Sequence, residues 1–374
     1  MNAAAGFTTA DHAHMTRALR LARRGVYTTH PNPRVGCVLV CDGRVVGEGW
    51  HRLAGEPHAE SLARRDAGGA ARGATAFVTL EPCAHHGRTP PCAPALIEAG
   101  IRRVVVPAAD PNPRVAGKGL ALLREAGLQV DVGLLADEAG RLNAGFNLRM
   151  TAGRPRVTVK LAASLDGRTA MASGESRWIT GPAARANVQR LRAASSAIVT
   201  GIGTVLADDP SLNVRAAEID TAGRQPLRVV LDRRLRLPPD ARLLGLPGQT
   251  LVMTAAPEGP AAAALRAAGA EIARIAAVAG GVDPAVALGA LAERECNDVL
   301  VEAGPTLAGA LAGAGLIDEL VLFLAPHLMG DSARGLFSLP GLENMADRVQ
   351  WRVTEWRQVG ADLRIRAVPA AQDD

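Results

Sequence analysis

Aromatic residues are scarce in this chain: Phe, Trp and Tyr together make up 3% of 374 residues. Proteins that hold single-stranded nucleic acid stack bases on such rings, and few are available here. A basic block or stripe is also missing. Lys plus Arg exceeds Asp plus Glu by 42 − 37 = 5, mostly arginine and spread along the chain. Nucleic acid is therefore not expected as a partner, whereas an anionic small molecule suits this mild excess. No apolar run is long enough to span a membrane. The N-terminal stretch MNAAAGFTTADHAHMTRAL lacks the charged start and apolar centre of a secretory signal. No membrane association is expected, and the cytoplasm is the expected compartment. Cysteine is sparse: Cys37, Cys41, Cys83, Cys92 and Cys296. An odd, scattered set does not form a disulfide framework, and in a reducing compartment paired cysteines more often hold metal. No internal repeat is visible.

What is present is enough apolar residue, 48%, to build a core in each of two or three domains. Asp11 to Arg24 reads as an amphipathic helix stopped by Gly25. Val35–Val40 and Arg44–Trp50 read as a hairpin turning at Asp42-Gly43. Alternating helices and strands follow, with a helix from about His58 to Arg65, a strand at Thr75–Leu80 and a helix at Cys92–Ala99. This order predicts a three-layer α/β/α domain over residues 1–148. The polar stretch RMTAGRPR predicts a linker at 149–155. A second α/β domain is expected over 156–374. Its strands Val157–Leu161, Ala197–Thr200, Leu227–Leu231, Thr250–Thr254 and Asp298–Glu302 alternate with helices. Its tail, Glu319–Ala325 and Gln350–Val368, alternates like antiparallel strands. A mostly parallel sheet with an antiparallel end is thus expected. The Ala/Gly/Pro-rich stretch from Leu235 to Gly281 reads largely as loops.

The chemistry concentrates between Gly55 and Leu96. His58, Cys83 and Cys92 offer one imidazole and two thiolates, a set that suits zinc and leaves one coordination position open. His58 and Cys92 fall at predicted helix starts, where the helix dipole favours anions. Glu60, two residues from His58, can take a proton from water and return it to a leaving amine. H-x-E followed by P-C-x-x-C is the pattern of zinc nucleobase deaminases, in which the glutamate is not a ligand. This chain departs from it: eight residues, AHHGRTPP, separate Cys83 from Cys92, and Pro91-Cys92 restores the second thiolate. The insertion carries His85, His86 and Arg88 and reads as a loop able to touch an anionic group. A purely structural zinc site would want a fourth protein ligand, which His85 or His86 could supply, but it has no use for Glu60. In the second half, Gly201-x-Gly203 follows a strand, yet Leu206 stands where a dinucleotide fingerprint needs a small residue. Gly304-Pro305-Thr306 lies between a strand and a helix. It reads equally well as a phosphate cradle and as an ordinary tight turn.

HPNPRVGCVLV, GEGWHRLAGEPHAE and TLEPCAHHGRTPPC closely resemble the bifunctional pyrimidine deaminase/reductases of riboflavin biosynthesis. KLAASLDGR, SGESRWITG, LADDPSLNVR and VEAGPTLAGAL resemble the reductase half of the same family. The resemblance implies a cytidine-deaminase-like N-terminal domain and a dihydrofolate-reductase-like C-terminal domain. It implies one Zn2+ on His58, Cys83 and Cys92, with Glu60 as proton shuttle and Asn32, His51 and Arg88 as substrate contacts. It implies NADPH, with Ala162, Trp178, Thr204 and Asp208 as cofactor contacts. Gly304, Pro305, Thr306, Leu307, Ala308, Gly309 and Ala310 are further cofactor contacts on the same basis. Ser176, Arg192, Leu212, Arg215 and Glu302 resemble substrate contacts. Arg192 and Arg215 suit a phosphate, which a guanidinium fork grips in two places. Lys160 and Asp208 are candidates for the proton that accompanies hydride transfer. Asp232 is followed by Arg233 where relatives often have serine, and an arginine there could meet the cofactor's extra phosphate. The implied substrate is a diaminopyrimidinone carrying a ribosylamino 5′-phosphate, and a homo-oligomer, dimer or tetramer, is expected.

Overall fold

The computed structural model describes residues 6–85, 90–278 and 281–370. The chain divides into two compact units, Met1–Gly153 and Arg154–Asp374.

The first unit starts with α1 (Thr9–Arg23). Thr8 Oγ1 accepts from the Asp11 amide at 3.1 Å and the Asp11 carboxylate accepts from the Thr8 amide at 3.0 Å, a closed capping box. β1 (Gly36–Cys41) and β2 (Arg44–Trp50) form the expected hairpin. Asp42 and Gly43 both take positive φ, 47° and 73°, as its tight turn requires. Next come α2 (Ala59–Ala67), β3 (Thr75–Val78), α3 (Cys92–Glu98), β4 (Arg103–Val106), α4 (Lys118–Glu125) and β5 (Gln129–Val132). The sheet order is β2-β1-β3-β4-β5, with β1 antiparallel to its neighbours and β3, β4 and β5 parallel. Side chains alternate across it. Val38, Phe77 and Val105 pack beneath Met15 and Leu19 of α1, while Cys37, Leu39, Val78 and Val104 pack beneath Ala59, Leu96 and Leu123. These are the three expected layers. Two helices close the unit, α5 (Ala136–Leu142) and α6 (Ala144–Ala152). The stretch 149–155 read as a linker is therefore helical as far as Ala152, where Gly153 at φ 66° ends the helix. Its polarity is that of a helix's outer face, because Phe146, one turn earlier, is buried.

The second unit contains β6 (Arg156–Ser164), β7 (Arg168–Ala170), α7 (Pro182–Ala194), β8 (Ala197–Gly201), α8 (Ile202–Asp208), β9 (Leu227–Leu231) and β10 (Thr250–Thr254). It continues with α9 (Pro260–Ala267), β11 (Ala270–Arg274), the two-residue strands β12 (Ala277–Val278) and β13 (Gly281–Val282), and α10 (Pro284–Glu293). β14 (Asp298–Glu302), α11 (Pro305–Gly313), β15 (Glu319–Ala325), β16 (Arg334–Gly335), β17 (Trp351–Val359) and β18 (Asp362–Pro369) complete it. Nine strands form one sheet in the order β11-β10-β9-β8-β14-β6-β15-β18-β17. The run from β11 to β15 is parallel, so Glu319–Ala325, expected among the antiparallel strands, is parallel to β6 and antiparallel only to β18; β18 and β17 form the expected antiparallel end. α10 and α11 cover one face over Val229, Leu251 and Val301. The other face carries α8 and α9 over Val230 and Val252, and α7 over Val321 and Phe323. The parallel strands are apolar on both faces for this reason.

Candidate functional site

His58, Cys83 and Cys92 converge: their ligand atoms all lie within 4.8 Å of one another. His58 is the N-cap of α2, and its side chain makes no capping bond but turns its Nδ1 to the two cysteines. Cys92 opens α3, whose first two amides turn to the other ligand. Cys92 N donates to Cys83 Sγ at 3.4 Å and Ala93 N donates to Cys83 O at 3.0 Å. His58 Nδ1 stands 3.7 Å from Cys83 Sγ and 3.4 Å from Cys92 Sγ. Ligands bound to a tetrahedral zinc at ~2.0–2.3 Å lie roughly 3.3–3.8 Å apart, so both donor set and spacing fit zinc. The proton balance fits too. The hydrogen bond between the two thiols draws Cys83 down and pushes Cys92 up, so a nearby cation is what lets both ionise.

Glu60 lies in the first turn of α2, 5% exposed, with its carboxyl beside the Cys92 thiol. Burial pushes that carboxyl above its ordinary value. It faces the cluster without being counted among the ligands, as a proton carrier must. His51 is buried beside His58, its ring edge-on with centroids 5.3 Å apart. Burial, then the neighbouring His58, lowers its pKa to about 4, so it is neutral near pH 7. Pro57 O can only accept, at 3.4 Å from Nδ1, so Nδ1 carries the proton. Nε2 must then accept from Asn32 Nδ2 at 3.0 Å. The structure thus brings Asn32 and His51 to the site. Arg88 and His86 lie outside the described residues, and His85 is exposed. One residue was missed by the sequence reading: Glu81, whose carboxylate is buried beside the Pro82-Cys83 step. Its adjacency to a ligand was the available signal.

In the second unit, Lys160 on β6 stands opposite Glu302 on β14 in the parallel register. Arg192, from α7, grips Glu302 with Nε–Oε1 2.6 Å and Nη2–Oε2 3.0 Å, and its Nη1 donates to Asn213 O at 3.0 Å. Three of the five N–H donors of Arg192 are thus used within the protein, leaving one on each terminal nitrogen. Among the described residues Arg215 donates to one side chain, Asn213 Oδ1 at 3.3 Å, and retains donors for a phosphate. Leu212, in the same loop, is buried at a left-handed φ of 43°, an unusual conformation for leucine. Ser176 Oγ donates to Asp208 Oδ1 at 3.2 Å, at the end of the helix that carries Thr204. Trp178 is 67% exposed, and Ala162 is half-buried on β6. Of the expected contacts at 304–310, Gly304, Pro305, Thr306, Leu307 and Ala310 keep some exposure. Ala308 is enclosed in the core, out of reach of a cofactor. Gly309 is small for packing: a Cβ there would lie 1.9 Å from Ser338 O. Arg233 is exposed.

Residues 8–108 match the cytidine and deoxycytidylate deaminase zinc-binding region, and residues 155–365 match the RibD C-terminal domain. The riboflavin biosynthesis protein RibD of Escherichia coli K12 is 52% identical, the match covering 96% of this chain and all of that protein. That of Haemophilus influenzae is 48% identical over 97% of this chain and 98% of the relative. Among solved structures, Acinetobacter baumannii RibD (form 1) superposes with a TM-score of 0.90 at 48% identity, covering 97% of this chain and 99% of that one. A Thermotoga maritima structure described as a diaminohydroxyphosphoribosylaminopyrimidine deaminase/5-amino-6-(5-phosphoribosylamino)uracil reductase gives 0.85 at 35% identity, covering 96% and 99%.

Proposed function

Because the chain belongs to the family of bifunctional deaminase/reductases of riboflavin biosynthesis, we propose a division of labour within it. The hydrolytic deamination falls to the first unit and the reduction to the second. The substrate of the first step is the diaminopyrimidinone with a ribosylamino 5′-phosphate. Water replaces a ring amino group and ammonia leaves. Zinc, held by His58, Cys83 and Cys92, supplies the Lewis acidity that makes water nucleophilic near neutral pH. Glu60 accepts the water's proton on its carboxylate and delivers it to the departing amine. Asn32, oriented by neutral His51, accepts a hydrogen bond from the pyrimidine. The observation that carries this reading is Glu60: a buried carboxyl beside the Cys92 thiol and outside the ligand set.

For the second step NADPH, which Trp178, Thr204, Asp208 and Gly304 would hold, would supply the hydride that converts the ribosyl group to a ribityl chain. Lys160 supplies the accompanying proton to the ring oxygen as the ring opens. What favours Lys160 is its enclosure: burial lowers its pKa, against the pull of Glu302. Arg215 receives the substrate phosphate. The protein works in the cytoplasm as a homo-oligomer. Supporting the latter, the edge strand β17 leaves Trp356 and Val353 exposed.

Glu60→Gln tests the reading. Ammonia release should fall by about 10²–10⁴-fold, the usual worth of a positioned proton carrier. Bound zinc, and substrate-dependent NADPH oxidation on the deaminated intermediate, should persist. Deamination at the wild-type rate would remove Glu60 from the mechanism.

A further inference from the structure

We infer that Glu81 is a positioning residue of the deaminase site, fastening the loop before α4 to the strand end that carries the ligand Cys83. The inference rests on the zinc-deaminase reading above. Glu81 is 4% exposed, and no Lys or Arg pairs with it among the described residues. Four backbone amides satisfy it instead. Its Oε2 accepts from Asp110 N at 2.8 Å and Gly117 N at 2.9 Å. Its Oε1 accepts from Gly119 N at 2.8 Å and Leu120 N at 3.2 Å. The last three amides belong to the N-cap and first turn of α4. They point at the carboxylate because a helix start leaves them without partners of its own.

The link from this carboxylate to the metal is short and stiff. Pro82, with its fixed φ, is the only residue between Glu81 and Cys83. The first turn of α4 lies flush against that proline: a Cβ on Gly119 would fall 1.8 Å from Pro82 O. Cys83 is then gripped from its other side by the first amides of α3. The sulfur is thus held between two helix starts, directly by α3 and through Glu81-Pro82 by α4. A carboxylate is required because both of its oxygens must accept. Glutamine in the same place would turn an amide N–H2 against two N–H donors.

The test measures zinc release into a chromophoric chelator, alongside melting temperature, for the wild type, Glu81→Gln, Gly119→Ala and Arg103→Met. Arg103 is the control: it joins Asp11 and Asp131 at the opposite end of β4, so its loss lowers stability without touching Cys83. Glu81→Gln and Gly119→Ala should each release zinc about 10–100-fold faster, the range seen when a ligand's support is removed. Arg103→Met should melt earlier yet release zinc at the wild-type rate. Release from Glu81→Gln at the wild-type rate overturns the inference, as does equal acceleration by Arg103→Met. A wild type that binds no zinc overturns instead the reading beneath it. Should neither site variant fold, amide exchange in the wild type decides. Stripping zinc should speed exchange at Gly119 and Leu120, and unchanged exchange there rejects the coupling.

Discussion

Arg192 and Glu302 show what one buried pair does. Their side chains are 9% and 13% exposed, so water screens them little. Burial pushes the Glu302 carboxyl up, but Arg192, then Lys160 and Arg215, outweigh it, and the carboxyl ends below its ordinary 4.5. A depressed carboxylate contributes stability that is fully present above the unfolded value and is lost as pH falls through the folded one. Arg192→Met leaves Glu302 in the interior without its hydrogen-bonded partner, with only the charges of Lys160 and Arg215 nearby. We expect a loss of ~3–5 kcal/mol, the range for removing one member of a buried pair. It should appear in denaturant melts near neutral pH and shrink as pH falls below the ordinary carboxylate value of 4.5, as Glu302 protonates in both proteins. By contrast, Arg17 and Glu48 form a pair 51% and 27% exposed, and its removal should change stability by only ~0–1 kcal/mol. The sequence pointed to Arg192 and Glu302 as site residues but could not show that they bind each other. Which charges are paired is a property of α7 lying over β14, not of local spacing.

Glycines set how closely α2 sits on the sheet, and α2 carries His58 at its N-cap and Glu60 in its first turn. A Cβ on Gly49 would lie 2.3 Å from Ala59 O, and one on Gly47 would lie 2.2 Å from Ala63 O. Neither glycine has positive φ, so the demand is purely one of space. Gly49→Ala should push the first turn of α2 outward and cut both zinc retention and deamination. Gly47→Ala, acting one turn later, should lower the melting temperature with a smaller loss of zinc. Metal content per chain against melting temperature separates the two. Much of this layer was legible beforehand. Arg44–Trp50 and Leu227–Leu231 match the observed strands, because alternation or an apolar run bounded by turn residues has one good reading. α6 was not legible: Arg149 and Thr151 mimic a linker until Phe146 is known to be buried. β11, in the Ala-rich stretch, was also missed, since it is a strand by virtue of pairing with β10. At the candidate site, the ligands and Glu60 were readable from motif spacing. Glu81 was not, because its partners are backbone amides about thirty to forty residues away in sequence.

On the scale of the whole molecule, the large sheet ends at β17, nine residues long and paired on one side only. An exposed strand of that length invites another strand. The preceding residues 341–350 are all exposed, among them Leu342, Met345 and Val349, and Trp356 on β17 is 72% exposed. A second copy is the occupant that fits, because two-fold symmetry pairs an edge strand antiparallel with itself and leaves no further edge open. Pairing about Trp356 would set the two indoles against each other. Trp356→Glu would place two carboxylates at the symmetry axis. The variant should sediment as a monomer at micromolar concentration, where the wild type sediments as a dimer or larger assembly. Because Trp356 faces solvent within one chain, the monomer's secondary structure should stay unchanged by circular dichroism. A variant that sediments like an oligomeric wild type places the interface elsewhere, and a wild type that is itself monomeric rejects self-association.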